Sequence, residues 1–259
     1  MIRTVVGGAT GKLGRNVCDL IMSSRDIELA GCIVSEGGGN VGKELYPGVF
    51  ASGPDGILDA AGDADVYVDV TSPDAAAKII DSIPDTGANL VVGTTAIPRD
   101  ALDRMAASVS RNGTSALLSA NFSISVNVFW KICEEMAGYL PDYDIEIIEL
   151  HHNTKKDAPS GTTAEVIRRI QGVTGIEKVV NGREGVVGAR TREIGVHAVR
   201  AGDVVGDHTV LFAKNAEMME LTHRLMSREA LAAGCMESIR WIAGRKDGKV
   251  HSMNEVLGI

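Results

Sequence analysis

A glycine-rich run, Gly7-Gly8-Ala9-Thr10-Gly11-Lys12-Leu13-Gly14, directly follows the first apolar stretch, Thr4-Val5-Val6, in a half-chain that alternates short apolar runs with amphipathic ones. No other feature limits the fold so tightly. Strands are expected at Glu28 to Val34, Val66 to Val70, Leu90 to Val92 and Ala116 to Leu118, with helices at Leu13 to Met22, Pro73 to Ser82 and Pro98 to Ser110. Such alternation predicts a parallel sheet covered on both faces. In that architecture the first strand-to-helix turn needs glycine at three places: where the chain bends sharply, where backbone must approach a pyrophosphate, and where the helix lies close on the sheet. Counted from Gly8 the spacing is Gly-x-x-Gly-x-x-Gly, a weak signal alone that gains weight from opening the alternation.

The pattern changes after Asn121. A long helix is expected from about Val126 to Leu140, a strand from Ile145 to Leu150, and a helix from Thr162. Three β-like runs follow, Gly195–Arg200, Thr209–Ala213 and Met218–Thr222, and a last helix over 228–243. The polar turn Lys214-Asn215-Ala216 predicts a hairpin. The fold class is therefore α/β: an N-terminal Rossmann-like doubly wound parallel sheet plus a C-terminal α+β domain with a mixed or antiparallel sheet. The change of pattern divides the chain near residue 122. The runs Gly37-Gly38-Gly39 and 182–188 are expected to be mobile loops.

Chemistry concentrates in 145–162, Ile-Glu-Ile-Ile-Glu-Leu-His-His-Asn-Thr-Lys-Lys-Asp-Ala-Pro-Ser-Gly-Thr. Pro159 ends any earlier helix and favours an extended turn. Thr162 with Glu165 predicts a capping box, so the amides of Gly161 and Thr162 would be among the unpaired donors of a helix start, suited to a carboxylate or phosphate. An anion site then lies beside proton-transfer groups. If 151–155 stayed extended its ends would be ~13 Å apart. The segment must curl after His152 for both ends to meet one small ring.

Composition narrows the remaining classes. With 259 residues, 44% hydrophobic and 23% charged, the chain can bury a full core. No apolar run approaches the ~20 residues of a membrane span, and the N-terminus enters the glycine loop without room for a signal peptide, so a cytoplasmic protein is expected. A net charge of −8 argues against nucleic-acid binding. Cys18, Cys32, Cys133 and Cys235 are far apart within apolar segments and are expected to be reduced core thiols. No metal is expected: His151 and His152 should point to opposite faces of a strand, with no cysteine or carboxylate to complete a set. His197, His208 and His223 are expected at a surface or interface.

Taken together, these segments resemble the 4-hydroxy-tetrahydrodipicolinate reductase (dihydrodipicolinate reductase) family over nearly the whole chain. The resemblance rests on Gly8 to Gly14, Gly93-Thr94-Thr95, Asn121-Phe122-Ser123 and, above all, Glu149-Leu150-His151-His152 through Lys155, Asp157, Ala158, Pro159, Ser160, Gly161 and Thr162. It implies NAD(P)H-dependent reduction in diaminopimelate and lysine biosynthesis, a homotetramer, a dinucleotide-binding domain of residues 1–122 completed by 228–259 with a final helix returning to it, and a substrate-binding and oligomerisation domain of residues 123–227. By the same resemblance His151 is the proton donor/acceptor, Lys155 a second donor, and His152, Gly161 and Thr162 contact a small dicarboxylate. The cofactor is expected at Gly8, Ala9, Thr10, Gly11, Lys12, Leu13, Gly14 and Ser35, and through the backbone of Gly93, Thr94, Thr95, Ser119, Ala120, Asn121 and Phe122. Asp157 is expected to cap the turn or orient Lys155.

Three departures from the family pattern stand out. Lys12 replaces a common arginine, Ser119-Ala120 a usual Ala-Pro, and Val34-Ser35 the acidic and basic pair many members use at the adenosine ribose. Valine cannot accept from a 2′-hydroxyl; Ser35 could bond a 2′-phosphate with charge from Lys12, while Glu36 would oppose it or take the ribose. NADPH and NADH are both open. The rival readings are a dehydrogenase of another amino or hydroxy acid, which has no use for the 151–162 block, and a non-catalytic dinucleotide sensor, which has none for His151 and Lys155.

Overall fold

Strand β1 (Ile2–Gly7) alternates its side chains between two cores, with Val6 in one and Val5 in the other. A strand buried on both faces must lie inside a sheet. In the computed structural model, which describes all 259 residues, β1 is flanked in parallel by β2 (Ile27–Ile33) and by a strand from later in the chain. Between β1 and β2 runs α1 (Lys12–Met22), which buries Val17, Cys18 and Ile21. A short antiparallel pair, β3 (Glu44–Tyr46) and β4 (Val49–Ser52), extends the edge beyond β2. The chain then passes through α2 (Ile57–Gly62), β5 (Val66–Asp69), α3 (Pro73–Ala76), β6 (Asn89–Val92), α4 (Arg99–Asn112) and β7 (Ala116–Leu118).

A long helix, α5 (Ile124–Tyr139), leads into β8 (Asp144–His151). After α6 (Gly161–Thr174) come β9 (Val179–Asn181), β10 (Ile194–Arg200), β11 (Gly206–Lys214) and β12 (Glu217–Leu225), and finally α7 (Glu229–Ile242), β13 (Val250–His251) and α8 (Met253–Leu257). The chain divides into two units, 1–124 with 229–259, and 125–228. The first holds an eight-stranded sheet of order β13-β7-β6-β5-β1-β2-β4-β3, parallel except for β3. One core joins α1, α7 and α8 to the sheet through residues such as Cys18, Cys235, Ile239 and Met253; the other uses Tyr67, Ile80, Met105 and Val109. This is the doubly wound arrangement, and its strand order reverses at β1, the point where such sheets open a ligand crevice.

The second unit holds a five-stranded mixed sheet, β12-β11-β8-β10-β9. Ile145 and Ile147 of β8, Ile194 and Val196 of β10 and Val210 and Phe212 of β11 share a face by register, and pack with Val126, Phe129 and Trp130 of α5 and Val166 and Ile170 of α6. The β11–β12 hairpin closes on Asn215 and Ala216, at φ 55° and 61°, the left-handed pair that a two-residue turn requires.

The structure departs from the expected elements in several places. The helix expected at 73–82 is regular only over Pro73–Ala76; beyond it, bonds alternate between Ile79 N–H to Ala76 and Ile83 N–H to Ile79, three and four residues apart, before Pro84 enters a 3₁₀ turn. The expected helix start at Thr162 is replaced by a Ser160 cap. The strands β3, β4, β9 and β13 and the helices α2 and α8 lay outside the expectation, being six residues or shorter. The loop at 182–191 is tied down, with Arg183 bonded to Glu146 and Glu193 and Arg190 to Asp144 and Glu146.

Candidate active site

In the first unit, the glycine loop is shaped by contacts no side chain could share. A Cβ on Gly14 would lie 2.1 Å from the Gly8 carbonyl oxygen, and one on Gly8 2.5 Å from the Val70 carbonyl oxygen, with Gly8 also at φ +81°. Both positions exclude any larger residue. Helix α1 begins without a side-chain cap and without an acidic residue in its first turn, so the amides of Lys12, Leu13 and Gly14 have no acceptor in the chain. Free amides at the positive end of a helix dipole, behind a close-approach glycine turn, fit a pyrophosphate.

Beside the loop is a cavity of about 630 Å³. Of the expected cofactor positions, Gly8, Thr10, Gly11 and Ser35 line it; Ala9, Lys12, Leu13 and Gly14 complete the turn outside its lining. Pro54, Ile57, Ala75 and Ile79 provide apolar wall, as a flat base needs. Gly93, Thr94 and Thr95 follow β6, and Ser119, Ala120, Asn121 and Phe122 follow β7, so both sets sit at the carboxyl edge of the same sheet without lining this cavity. Phe122 is buried, its ring over Gly93, where a Cβ would come within 2.4 Å of it. Its carbonyl packs against Gly234, where a Cβ would come within 1.7 Å of it.

Sequence reasoning missed Asp69, Thr71 and Lys78, which also line the cavity. Fully buried Asp69 accepts from the Thr94 hydroxyl at 2.5 Å and the Thr71 hydroxyl at 2.9 Å, tying together the loops after β5 and β6. Burial pushes its carboxyl above the usual range, opposed by those bonds. The available clue was a carboxylate inside the apolar run Val66 to Val70. The side chain of Thr94 is committed to this brace.

In the second unit, β8 turns Ile145, Ile147, Glu149 and His151 to the helix-covered face. His151 is the last residue of the strand, and the chain curls at once: the Lys155 amide donates to the His152 carbonyl at 3.2 Å. The His152 ring bonds the Thr154 hydroxyl at 2.7 Å through Nδ1, and Lys155 Nζ donates to both oxygens of Asp157, at 2.8 and 2.9 Å. Asp157 thus orients Lys155, whose ammonium holds that carboxyl below its usual range.

After the cis Ala158–Pro159 bond, Ser160 caps α6, its hydroxyl accepting from the Thr163 amide. The expected Thr162–Glu165 capping box does not form, because Glu165 is bonded to Arg168 and Arg169. The consequence foreseen survives one position earlier. The amides of Gly161 and Thr162 open the helix and have no acceptor in the chain.

His208 and His223 are only 4% and 7% exposed, contrary to the surface or interface placement expected of them. They are cross-strand partners on the inward face, and His208 also lies opposite Glu149. The His208 and His151 rings meet edge to face with centroids 5.0 Å apart, and His208 Nε2 bonds the Ser160 hydroxyl at 3.1 Å. Burial pushes His208 down to about 4, and His151 and His223 below the usual imidazole range.

Contrary to the expectation that no carboxylate completes a metal set, Glu149 and His208 gather with His151, one ligand atom from each lying within 4.8 Å of the others. Glu149, however, already accepts from the Ser160 amide at 2.8 Å, the Thr163 hydroxyl at 2.7 Å and Arg200 at 2.9 Å. The guanidinium supplies the positive charge that a metal ion would bring, and would repel one.

These histidines make the fold acid-sensitive. The unfolded chain protonates His208 near 6.5 and the folded chain only near 4, so its stabilising effect is complete above 6.5 and lost as pH falls towards 4. Glu149, held down at about 2 by its donors against the opposing effect of burial, adds a second loss from 4.5 downward. The melting temperature should be level from pH 7 to 8 and fall from about 6.5 to 4, less steeply in His208→Asn. A melting temperature unchanged between pH 7 and 4.5 would contradict this.

Family models described as the N-terminus and the C-terminus of dihydrodipicolinate reductase match residues 2–122 and 125–257. A protein of Methanocaldococcus jannaschii named 4-hydroxy-tetrahydrodipicolinate reductase is 41% identical over 272 residues, spanning 100% of this chain and 98% of that one. Its namesake in Methanosarcina mazei is 41% identical over 270 residues, spanning 100% of both. A solved dipicolinate-bound dihydrodipicolinate reductase from Paenisporosarcina sp. TG-14 superposes with a TM-score of 0.83 at 25% identity, covering 97% of each chain. A diaminopimelate dehydrogenase of C. glutamicum shares the fold alone, at a TM-score of 0.57 and 16% identity over 98% of this chain and 93% of that one. The chain belongs to the dihydrodipicolinate reductase family.

Proposed function

We propose that this protein reduces 4-hydroxy-tetrahydrodipicolinate to tetrahydrodipicolinate with NADPH or NADH, in diaminopimelate and lysine biosynthesis. The observation that carries this reading is segment 151–162, which gathers an imidazole, an ammonium group and two free helix-start amides within twelve residues. A bound reduced nicotinamide supplies the hydride, and the glycine loop, the α1 amides and the cavity beside Ser35 are the residues that would hold its dinucleotide. The other steps belong to the second unit. The amides of Gly161 and Thr162, together with His152, bind a substrate carboxylate. Water is first lost across the ring, the hydroxyl from C4 and a proton from C5, leaving a conjugated imine; hydride arriving at its C4 then drives electron density towards the ring nitrogen, and Lys155 stabilises and protonates the resulting anion. His151, held neutral near pH 7 by burial, is the proton donor/acceptor beside it.

Oxidation of NADPH and of NADH, followed optically with substrate freshly made by the preceding aldolase-type synthase, tests the reading. Turnover that depends on the synthase product supports it. Binding of cofactor without turnover would favour a non-catalytic sensor. We also propose a cytoplasmic homotetramer, supported by the sheet face of the second unit turned away from the helices, where Ile148 is 38%, Val199 44% and Met218 59% exposed. Sedimentation of the intact protein tests the assembly, and a monomer would refute it. No helix is long and apolar enough to cross a membrane.

A further inference from the structure

We infer that Glu149 and Arg200 form a positioning pair that sets the placement of Lys155, of the Gly161 and Thr162 amides and of the His151 ring; this rests on the reading of 151–162 as the substrate site. Glu149 is fully buried on a face it shares with Ile145, Ile147 and His151. Burying a carboxylate is costly before compensation, and an apolar residue would serve packing alone at least as well. Its presence is accounted for by what it holds.

One oxygen, Oε2, accepts from the Ser160 amide at 2.8 Å and the Thr163 hydroxyl at 2.7 Å, which fixes the first turn of α6 and so the direction of the two amides between them. The other, Oε1, accepts from Arg200 Nη2 at 2.9 Å and lies 3.7 Å from His151 Nδ1. The same Arg200 nitrogen donates to the Asp157 carbonyl at 2.6 Å, and the Asp157 carboxylate holds Lys155. One ion pair, its carboxylate fully buried, therefore holds the second half of loop 152–160 at two points: Asp157, whose carboxylate carries the ammonium group, and Ser160, which opens the helix that presents the amides. Register explains how the two partners meet. Arg200 is the last residue of β10 and lies directly beside His151, the last of β8.

The groups facing His151 are Glu149 on its own strand, Arg200 on β10, His208 on β11, and Lys155 and Asp157 on the loop. Its Nδ1 has no hydrogen-bond partner, and Glu149 Oε1 lies 3.7 Å from it. The carboxylate favours the tautomer or ion with a proton on Nδ1, and the cations oppose it. Removing either member of the pair therefore shifts His151 in opposite directions. A residue that merely supported the fold would not do that.

The test compares wild type, Glu149→Gln and Arg200→Met in the NADPH-oxidation assay across pH, with NADPH affinity measured by fluorescence. Glu149→Gln should lower kcat at least about tenfold and move the His151 limb of the kcat/KM profile to lower pH; Arg200→Met should move it to higher pH. NADPH affinity should be unchanged in both. Thr163→Val, which removes one donor and leaves the ion pair, provides a milder variant should the others not fold. It should weaken binding of pyridine-2,6-dicarboxylate severalfold without altering NADPH binding. Lowered melting temperatures with an unmoved pH profile, or unchanged dicarboxylate binding in Thr163→Val, would overturn the pair's role. Failure of the wild type to bind the dicarboxylate or turn over would instead sink the substrate-site reading itself.

Discussion

Lys155→Ala and His151→Gln should each lower turnover by roughly two orders of magnitude while leaving NADPH affinity near wild type, the usual worth of a positioned acid or base. The two replacements act differently. Lys155 is 19% exposed and its ammonium rests on Asp157, so removing it leaves the fold intact and frees a surface carboxylate. Loss of its charge also removes a partner for the substrate dicarboxylate, and KM should rise along with the fall in kcat. His151 is buried against His208, and glutamine keeps a polar side chain of similar reach while losing the imidazole proton exchange. Here kcat alone should fall. Equal loss of NADPH binding in both variants would mean that the residues support folding.

Gly14→Ala should raise the dissociation constant for NADPH by about 100-fold or more, equivalent to ~2.7 kcal/mol. The added methyl would meet the Gly8 carbonyl oxygen at 2.1 Å, and neither can rotate away, since the backbone fixes the position of a Cβ and the oxygen belongs to backbone. Helix α1 must then back off the loop, and its free amides move away from the pyrophosphate position. Gly138→Ala is the matched control. A Cβ there meets nothing within 4 Å, on a helix where alanine is favoured over glycine, so cofactor affinity should stay constant and stability rise slightly. Equal affinities in wild type and Gly14→Ala would show that the loop does not hold the dinucleotide.

Local pattern sufficed where one residue type had one physical use. The strands β1, β2, β5, β6 and β7 are apolar runs between glycine and polar breaks, and the 7–14 glycines sit where a Cβ would collide. It failed where a distant partner decided the outcome. Ser160 and Thr162 are both competent helix caps; Glu149 and His208, eleven and forty-eight residues from Ser160, pin Ser160 and settle the choice. The burial of His208 and His223 follows from cross-strand register, which pairs them across the hairpin and places His208 opposite Glu149. No periodicity in one strand reveals that. The short strands β3, β9 and β13, two or three residues each, exist because a neighbouring strand offers free backbone groups.

Placement of Lys155 and His151 is the part of the site best foreseen, since the need for the chain to curl after His152 is met by the His152–Lys155 turn. The role of Glu149 was visible only as a motif letter. Its meaning depends on Arg200, fifty-one residues away in sequence and adjacent in the sheet.

The decisive measurement is transfer of deuterium from NADPH carrying deuterium at both hydrogens of the nicotinamide C4, with the ring product read by mass spectrometry and NMR. The account predicts one deuterium per turnover, located at ring C4. NADPH consumed with no label in the ring, or with label at any other ring carbon, would contradict it.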